Sequence, residues 1–135
     1  MLTLAAAPTA AADTTSDLRA AVLGVRAGCP SMQADSTLDK VAERANYETQ
    51  AYYTHTAQSI PFEDPMPELR DLGYHANKAK LIPSYGDSVE KAIGGITMAG
   101  FQAIPDCSYT RYGVNVLDNS SSAGYVLAAL MLVGD

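Results

Sequence analysis

The stretch YTRYGVNVLDNSSSAGYVLAALMLV, residues 109–133, contains the strongest structural signal of the chain. Apolar and polar residues alternate over 109–117, as they do along a strand with one buried face. The side that we expect to be buried carries Tyr112, Val114 and Val116. Residues 125–133 are apolar without interruption, which is typical of a strand covered on both faces, and turn-forming residues at 118–124 connect the two. The stretch therefore predicts an antiparallel hairpin covered by helices.

Three amphipathic segments that precede the hairpin predict these helices. The first follows the N-cap candidates at 15–17 and ends at Gly28. The second and strongest begins at Asp35 or Ser36, and the third begins after Asp87, which we expect to cap it. Each segment repeats apolar residues at helical spacing on one face. The chain is therefore predicted to be an α+β protein.

The segments between these helices are less regular. Prolines in 57–67 predict a loop, 67–72 a short helix, and 79–85 a strand that a proline restricts to the edge of the sheet. Gly94 and Gly95 fall inside the third long helix, where each glycine costs about 1 kcal/mol relative to alanine. Either another part of the chain packs closely against them, or this helix is weak.

Composition restricts the class of protein. The 135 residues are 47% hydrophobic and 18% charged, which fits one globular domain that we place at residues 14–135. The net charge is −6 and no cluster of Lys or Arg is present, so a nucleic-acid partner is not expected. No apolar segment approaches the roughly 20 residues that span a bilayer. We therefore expect no membrane span, and we expect a monomer.

Residues 1–13 differ from the rest of the chain. The string MLTLAAAPTAAA at 1–12 is apolar and built of small residues, its last three alanines fit a signal-peptidase site, and no basic residue precedes Arg19. The segment is either the remnant of a signal peptide or a flexible tail. The first interpretation places the protein outside the cytoplasm, secreted or in the cell envelope.

Cys29 and Cys107 are the two cysteines of the chain. Neither belongs to a C-x-x-C motif or a Cys/His cluster, so zinc and thioredoxin-like redox chemistry have no motif to support them. In an exported protein an even count favours one disulfide bond. The alternative is two separate buried thiols.

Five short strings occur in an order that is characteristic of one family. They are DSTL at 35–38, YTHT at 53–56, Tyr85-Gly86, GFQ at 100–102 and RYGVNV at 111–116. In this order they resemble strings of the CAP superfamily, the cysteine-rich secretory, antigen 5 and pathogenesis-related proteins, in its short bacterial exported form. The resemblance covers about residues 15–134 and implies a three-layer α-β-α sandwich around a small antiparallel sheet.

The resemblance also implies a cleft that holds two His and two acidic residues, which bind a metal in some members. His55 matches the first His, whereas Phe101 stands at the second His position and Leu81 at one acidic position. Glu63 or Glu68 is the candidate for the other acidic residue. These are too few ligands to hold zinc tightly. We therefore expect a degenerate site with no metal and no cofactor.

Two catalytic interpretations remain beside this one. His55 with Glu63 or Glu68 would form an acid/base pair, although a single His at a helix end is more often a structural hydrogen-bonding group. His75 would have to join His55 in a different metal site. The chain has no G-x-S-x-G motif and no glycine-rich phosphate loop.

The eight tyrosines offer either a binding groove or ordinary packing at the margin of the core. Leu81 and Phe101 would make the cleft more apolar than in the family, which suits a hydrophobic ligand or a filled cleft. The candidate binding residues are His55, Glu63, Glu68, Leu81, Tyr85 and Phe101.

Three functional hypotheses follow. The first is a non-catalytic exported module that binds a lipid, a sterol or another apolar ligand, or an envelope or host protein, as the resemblance implies for some relatives. The second is a metal-assisted or His/carboxylate hydrolase. The third is a structural envelope protein without a ligand. The sequence does not separate the first from the third.

Overall fold

A four-stranded sheet lies between two layers of helices in the computed structural model, which describes residues 10–57 and 61–135. The elements in chain order are α1 (Ala10–Val25), β1 (Gln33–Ala34), α2 (Ser36–Tyr53), α3 (Met66–Asp71), β2 (Lys78–Gly86), α4 (Val89–Ala99), β3 (Tyr109–Asn119), α5 (Ser120–Ala123) and β4 (Tyr125–Gly134). The strand order is β1-β3-β4-β2.

The predicted hairpin forms the centre of this sheet. β3 and β4 pair antiparallel, from Tyr109 opposite Gly134 to Asn119 opposite Tyr125. β2 pairs antiparallel with the other side of β4 and is the edge strand that Pro83 predicted. These predictions are confirmed. The parallel strand β1 was not predicted, because two residues are too few to show a period.

The two faces of the sheet carry separate cores, which confirms the three-layer α-β-α architecture. One core joins α1 and α4 to alternate strand residues, which include Tyr112, Val114 and Val116 as expected. The other joins α2 and α3 to the strand positions in between, among them Ala129, Met131 and Val133. β4 contributes to both cores and is buried from Val126 to Gly134, as its uninterrupted apolar sequence predicted.

Helix starts agree with the sequence at α2 and differ at α4. Asp35 caps α2, and its carboxylate accepts a hydrogen bond from the Thr37 amide at 2.9 Å. The expectation that Asp87 caps α4 is wrong. Ser88 is the extended residue before the helix and its hydroxyl accepts from the Lys91 amide, whereas Asp87 forms an exposed ion pair with the Lys91 side chain.

Two other segments depart from expectation. α1 already begins at Ala10, ahead of the cap candidates at 15–17. The remainder of the signal-peptide interpretation, at residues 1–9, lies outside the described residues. The turn predicted at 118–124 contains the four-residue helix α5 and ends at Gly124, whose φ of 76° lies in the left-handed region that favours glycine.

The outer edge of β3 is closed by side chains beyond the short strand β1. The Val114 amide donates to Oδ1 of Asp39 on α2 at 2.9 Å, and the Val116 amide donates to Oγ1 of Thr15 on α1 at 3.4 Å. Arg19 of α1 forms an ion pair with the same Asp39 carboxylate at 3.2 Å. The two helices are thus joined across this edge of the sheet.

Cys29 and Cys107 are disulfide-bonded, so the two-thiol alternative does not apply. The bond connects the segment after α1 to the loop before β3. Beside it, the Arg26 guanidinium donates to four main-chain carbonyls, those of Pro30, Ile104, Asp106 and Tyr109. Covalent and hydrogen bonds therefore fix the same two segments to each other.

The two glycines of α4 have different surroundings. A Cβ at Gly95 would overlap Oγ of Ser84, which donates to the Ala92 carbonyl at 2.7 Å and so has a fixed position. Close packing therefore explains Gly95. A Cβ at Gly94 would meet nothing within 4 Å.

We expect Gly94→Ala to raise the free energy of unfolding by about 1 kcal/mol, because alanine is the better helix former and the site is open. Gly95→Ala should lower it, because Ser84 must move. Urea unfolding of both variants checks the pair. A loss of stability in Gly94→Ala would contradict the open site.

Candidate functional site

The residues that the family resemblance assigns to one cleft lie at several places. Glu63 and Leu81 line a groove between α2 and β2, and Tyr85 lines a smaller pocket beside it. His55 and Glu68 line neither space. Phe101 is 63% exposed and follows α4, which packs on the opposite face of the sheet.

His55 follows Thr54, the C-cap of α2, lies in the left-handed region at φ 60° and is exposed. Its imidazole makes no hydrogen bond or ion pair with any residue of 10–57 or 61–135. Glu68 pairs instead with Arg44 at 3.3 Å. His75 is exposed, and its carbonyl accepts from Arg111. Within the described ranges no three His, Cys, Asp or Glu residues are grouped so that they could hold a metal ion.

The groove has a volume of about 580 Å³. One wall is a face of α2, and the other is the alternate residues Leu81 and Pro83 of β2, which point towards α2. A proline is tolerated there because β2 is an edge strand. The lining residues are Ala45, Thr49, Tyr52, Tyr53, Pro61, Phe62, Glu63, Leu81 and Pro83. The lining contributed by the described residues is therefore mostly aliphatic and aromatic, with one carboxylate, that of Glu63.

A smaller pocket of about 250 Å³ adjoins the groove. The two spaces share Thr49, Tyr53 and Pro83. The pocket adds four residues to these, Asn46, Ser84, Tyr85 and Leu127. Asn46 is 2% exposed, and it is the one buried polar side chain among the described residues. The groove therefore continues into a pocket that contains an amide.

Four tyrosines cluster at the same end of the molecule. Tyr85 and Tyr125 stack with ring centroids 5.9 Å apart, and Tyr53 meets each of them edge-on at 5.9 and 6.0 Å. Tyr52 lies 6.3 Å from Tyr53. Tyr52 and Tyr53 are 50% and 47% exposed. The alternation of β3 predicted that Tyr112 is buried, whereas no pattern in the sequence indicated that Tyr52, Tyr53, Tyr85 and Tyr125 meet.

Tyr74 belongs to a polar network at the opposite end of the sheet. Its hydroxyl donates to Asp35 at 2.6 Å and accepts from Arg111 at 2.7 Å, and Arg111 also pairs with Asp135. Burial, together with the hydrogen bond to the Asp35 carboxylate, raises the pKa of Tyr74 to about 12. The network connects the start of α2 to β3 and lies away from the groove.

Comparison with known proteins gives no match by sequence. No family model matches the chain, and no curated protein does. Solved structures do match: a cysteine-rich secretory protein from Staphylococcus aureus superposes with a TM-score of 0.70 over 96% of this chain, at 12% identity. The chain has the cysteine-rich secretory protein fold.

An outer surface protein from Borrelia burgdorferi shares this fold. It superposes with a TM-score of 0.69 at 14% identity and covers 90% of this chain and 92% of its own. The chain spans only 40% of the length of the staphylococcal protein. The cysteine-rich secretory fold is the one that the five strings implied, so the fold expectation is confirmed. Among the helices described, none is long and apolar enough to cross a membrane.

Proposed function

We propose that this chain is an exported, non-catalytic module that binds an apolar small molecule in the groove between α2 and β2. The observation that carries the proposal is the lining of that groove, where Leu81, Phe62 and two tyrosines border a space of about 580 Å³. Ligand sites typically have volumes of about 300–1,000 Å³ and mostly apolar walls with a few polar groups.

Half-exposed aromatic rings beside the groove support the proposal. Tyr52 and Tyr53 keep about half of their surface in solvent, and both line the groove. Exposed apolar surface that is grouped in one patch marks binding sites more often than single exposed residues do. An occupant of the groove would cover both rings and Leu81 together.

The placement of the polar candidates favours binding over hydrolysis. A general acid/base pair requires its two groups within hydrogen-bond reach of the same proton. His55 lies outside the groove that Glu63 lines, and Glu68 is paired with Arg44. Leu81, at a position where the family resemblance implies an acidic residue, contributes an apolar side chain to the lining.

Export is supported by the disulfide and, through analogy of fold, by the neighbours. Structural disulfides persist in oxidising compartments outside the cytoplasm. Two proteins of similar structure are a secretory protein and an outer surface protein. Similarity of fold supports the proposal that this chain is exported, but it does not identify a partner.

Leu81→Gln is expected to weaken binding of an apolar ligand by about tenfold, since a polar group would replace part of the apolar wall. The test is a thermal melt with a panel of long-chain alcohols, fatty acids and sterols, in which a ligand that binds only the native state raises the melting temperature. Leu23→Gln is the matched control, because Leu23 is an exposed leucine of α1 away from the groove.

The same melts test the competing hypotheses. No stabilisation by any apolar compound would contradict the proposal and leave a structural protein. Stabilisation by zinc that a chelator reverses would support the hydrolase instead. Equal loss of ligand response in Leu81→Gln and Leu23→Gln would place the ligand elsewhere.

A further inference from the structure

Two polar side chains of the small pocket, those of Asn46 and Thr49, already donate their own hydrogens to other groups. The side-chain amide of Asn46 donates to the carbonyl oxygen of Asn115 at 3.1 Å and to Oδ1 of Asn115 at 2.9 Å, which occupies both of its N–H groups. The Thr49 hydroxyl donates to the Ala45 carbonyl at 3.0 Å. What these two side chains still offer is acceptor oxygen.

The side-chain oxygen of Asn46, Oδ1, is the acceptor that a ligand in the pocket would use. No donor among the described residues binds it. This oxygen is nevertheless not fully enclosed. Among the described residues, Nη1 of Arg19 is the one side-chain polar atom that is both fully enclosed and without a hydrogen-bond partner. Since Asn46 is almost entirely buried and lines the pocket, its free oxygen is accessible from the pocket. A nearly buried acceptor without a partner is costly unless something donates to it.

The rest of the lining also favours a donor over an acceptor. Within 10–57 and 61–135, no Lys, Arg or His lines the pocket or the groove. The rings of Tyr53 and Tyr85 border the pocket, and aromatic faces attract cations. The chain carries a net charge of −6, which repels an anion further.

We infer that the small pocket receives the hydrogen-bond-donating head group of an amphiphile, a hydroxyl or preferably a primary ammonium, while the apolar part of the molecule lies in the groove. The inference rests on the proposed function, because it assigns the polar end of the same ligand. The two spaces share Thr49, Tyr53 and Pro83, so one molecule can occupy both. A carboxylate head is disfavoured beside Asn46 and Thr49, because both would present acceptor oxygens to it.

Four compounds of matched chain length test the head group: octylamine, octyl alcohol, methyl heptyl ether and octanoate. Titration calorimetry should give octyl alcohol a Kd at least about fivefold lower than that of the ether, the effect of one hydrogen bond to a buried group. Octylamine should bind more tightly still and octanoate most weakly. Repeating the series at high salt screens the long-range attraction between the protein and charged head groups. The ratio of ether Kd to alcohol Kd should persist, because neither compound is charged.

Thr49→Val tests the location, because valine keeps the shape and removes one acceptor. The ratio of ether Kd to alcohol Kd should fall, because Oδ1 of Asn46 then remains without the second acceptor, with ether binding retained. Thr97→Val is the matched control, since the Thr97 hydroxyl also donates to a carbonyl of its own helix, that of Gly94 on α4. That variant should keep the wild-type ratio.

The outcomes separate this inference from the function on which it rests. If all four compounds bind equally well, or the ether binds as tightly as the alcohol, the pocket does not select a donor head group. The proposal of an apolar binding site in the groove is then retained. If Thr49→Val binds the ether and keeps the wild-type ratio, the head group lies elsewhere and the inference fails. If none of the four binds, both proposals are overturned.

Discussion

Gly113→Ala is expected to lower the free energy of unfolding by about 4 kcal/mol or more, which is in the exceptional range for a single substitution. Gly113 lies on β3 where the first turn of α2 crosses it. A Cβ there would overlap the main-chain carbon of Leu38 and the amide nitrogen of Asp39. Main-chain atoms cannot rotate away as a flexible side chain can, so the helix itself must shift.

That shift would break other contacts. Asp39 accepts from the Val114 amide and pairs with Arg19, so moving α2 away from β3 lengthens both interactions. Leu38 is fully buried in the core on that face. Overpacking a well-filled site already costs about 1–3 kcal/mol without such losses.

Urea unfolding of purified Gly113→Ala, with Gly94→Ala as the control, measures the effect. The control changes glycine to alanine where a Cβ meets nothing. A variant that unfolds near the wild-type urea midpoint would show that α2 and β3 do not approach as closely as described. Failure to obtain any folded Gly113→Ala protein, with Gly94→Ala folded, agrees with the expectation.

The second large loss of stability is expected when the disulfide is removed. Cys29→Ser combined with Cys107→Ser should lower stability by about 4.5 kcal/mol, the chain-entropy value for a closed loop of this length. The bond joins residues separated by 78 positions, so the unfolded chain gains much freedom when it is absent. Arg26 and its four carbonyl contacts remain and keep the two segments close in the folded state.

Thermal melts with and without reductant provide an internal control. Wild-type protein in reductant should match the double variant, and the double variant should not respond to reductant at all. If the double variant melts at the temperature of the oxidised wild type, the entropic role of the bond is wrong.

The sequence predicted those elements that have a local period. The alternation in β3, the apolar run of β4 and the stripe of α2 each extend over enough residues to be recognised, and Pro83 identified the edge strand. The cap of α4 was misassigned, because Asp87 and Ser88 are both good caps and only the backbone conformation separates them. β1 depends on long-range pairing, in which the Asp35 amide donates to the Tyr112 carbonyl.

The candidate site was predicted less well than the fold. Matching short strings gives the order of segments along the chain but not the direction in which a side chain points. Leu81 and Phe101 were therefore expected to share a cleft, although α4 carries Phe101 to the other face of the sheet. Asn46 was missed, because an Asn on an amphipathic helix is indistinguishable in sequence from a solvent-facing one.

The closed edge of β3 has a consequence for how copies of this protein meet. An open strand edge is a template on which a strand of another chain can add, and such addition leads to fibres. Here side chains from α1 and α2 already accept the hydrogen bonds of Val114 and Val116. On the far side of the sheet, Pro83 of β2 has no amide hydrogen to donate. Side chains thus cover part of one edge of the sheet and a proline interrupts the amides of the other, so addition of a strand from a second copy is disfavoured at both edges.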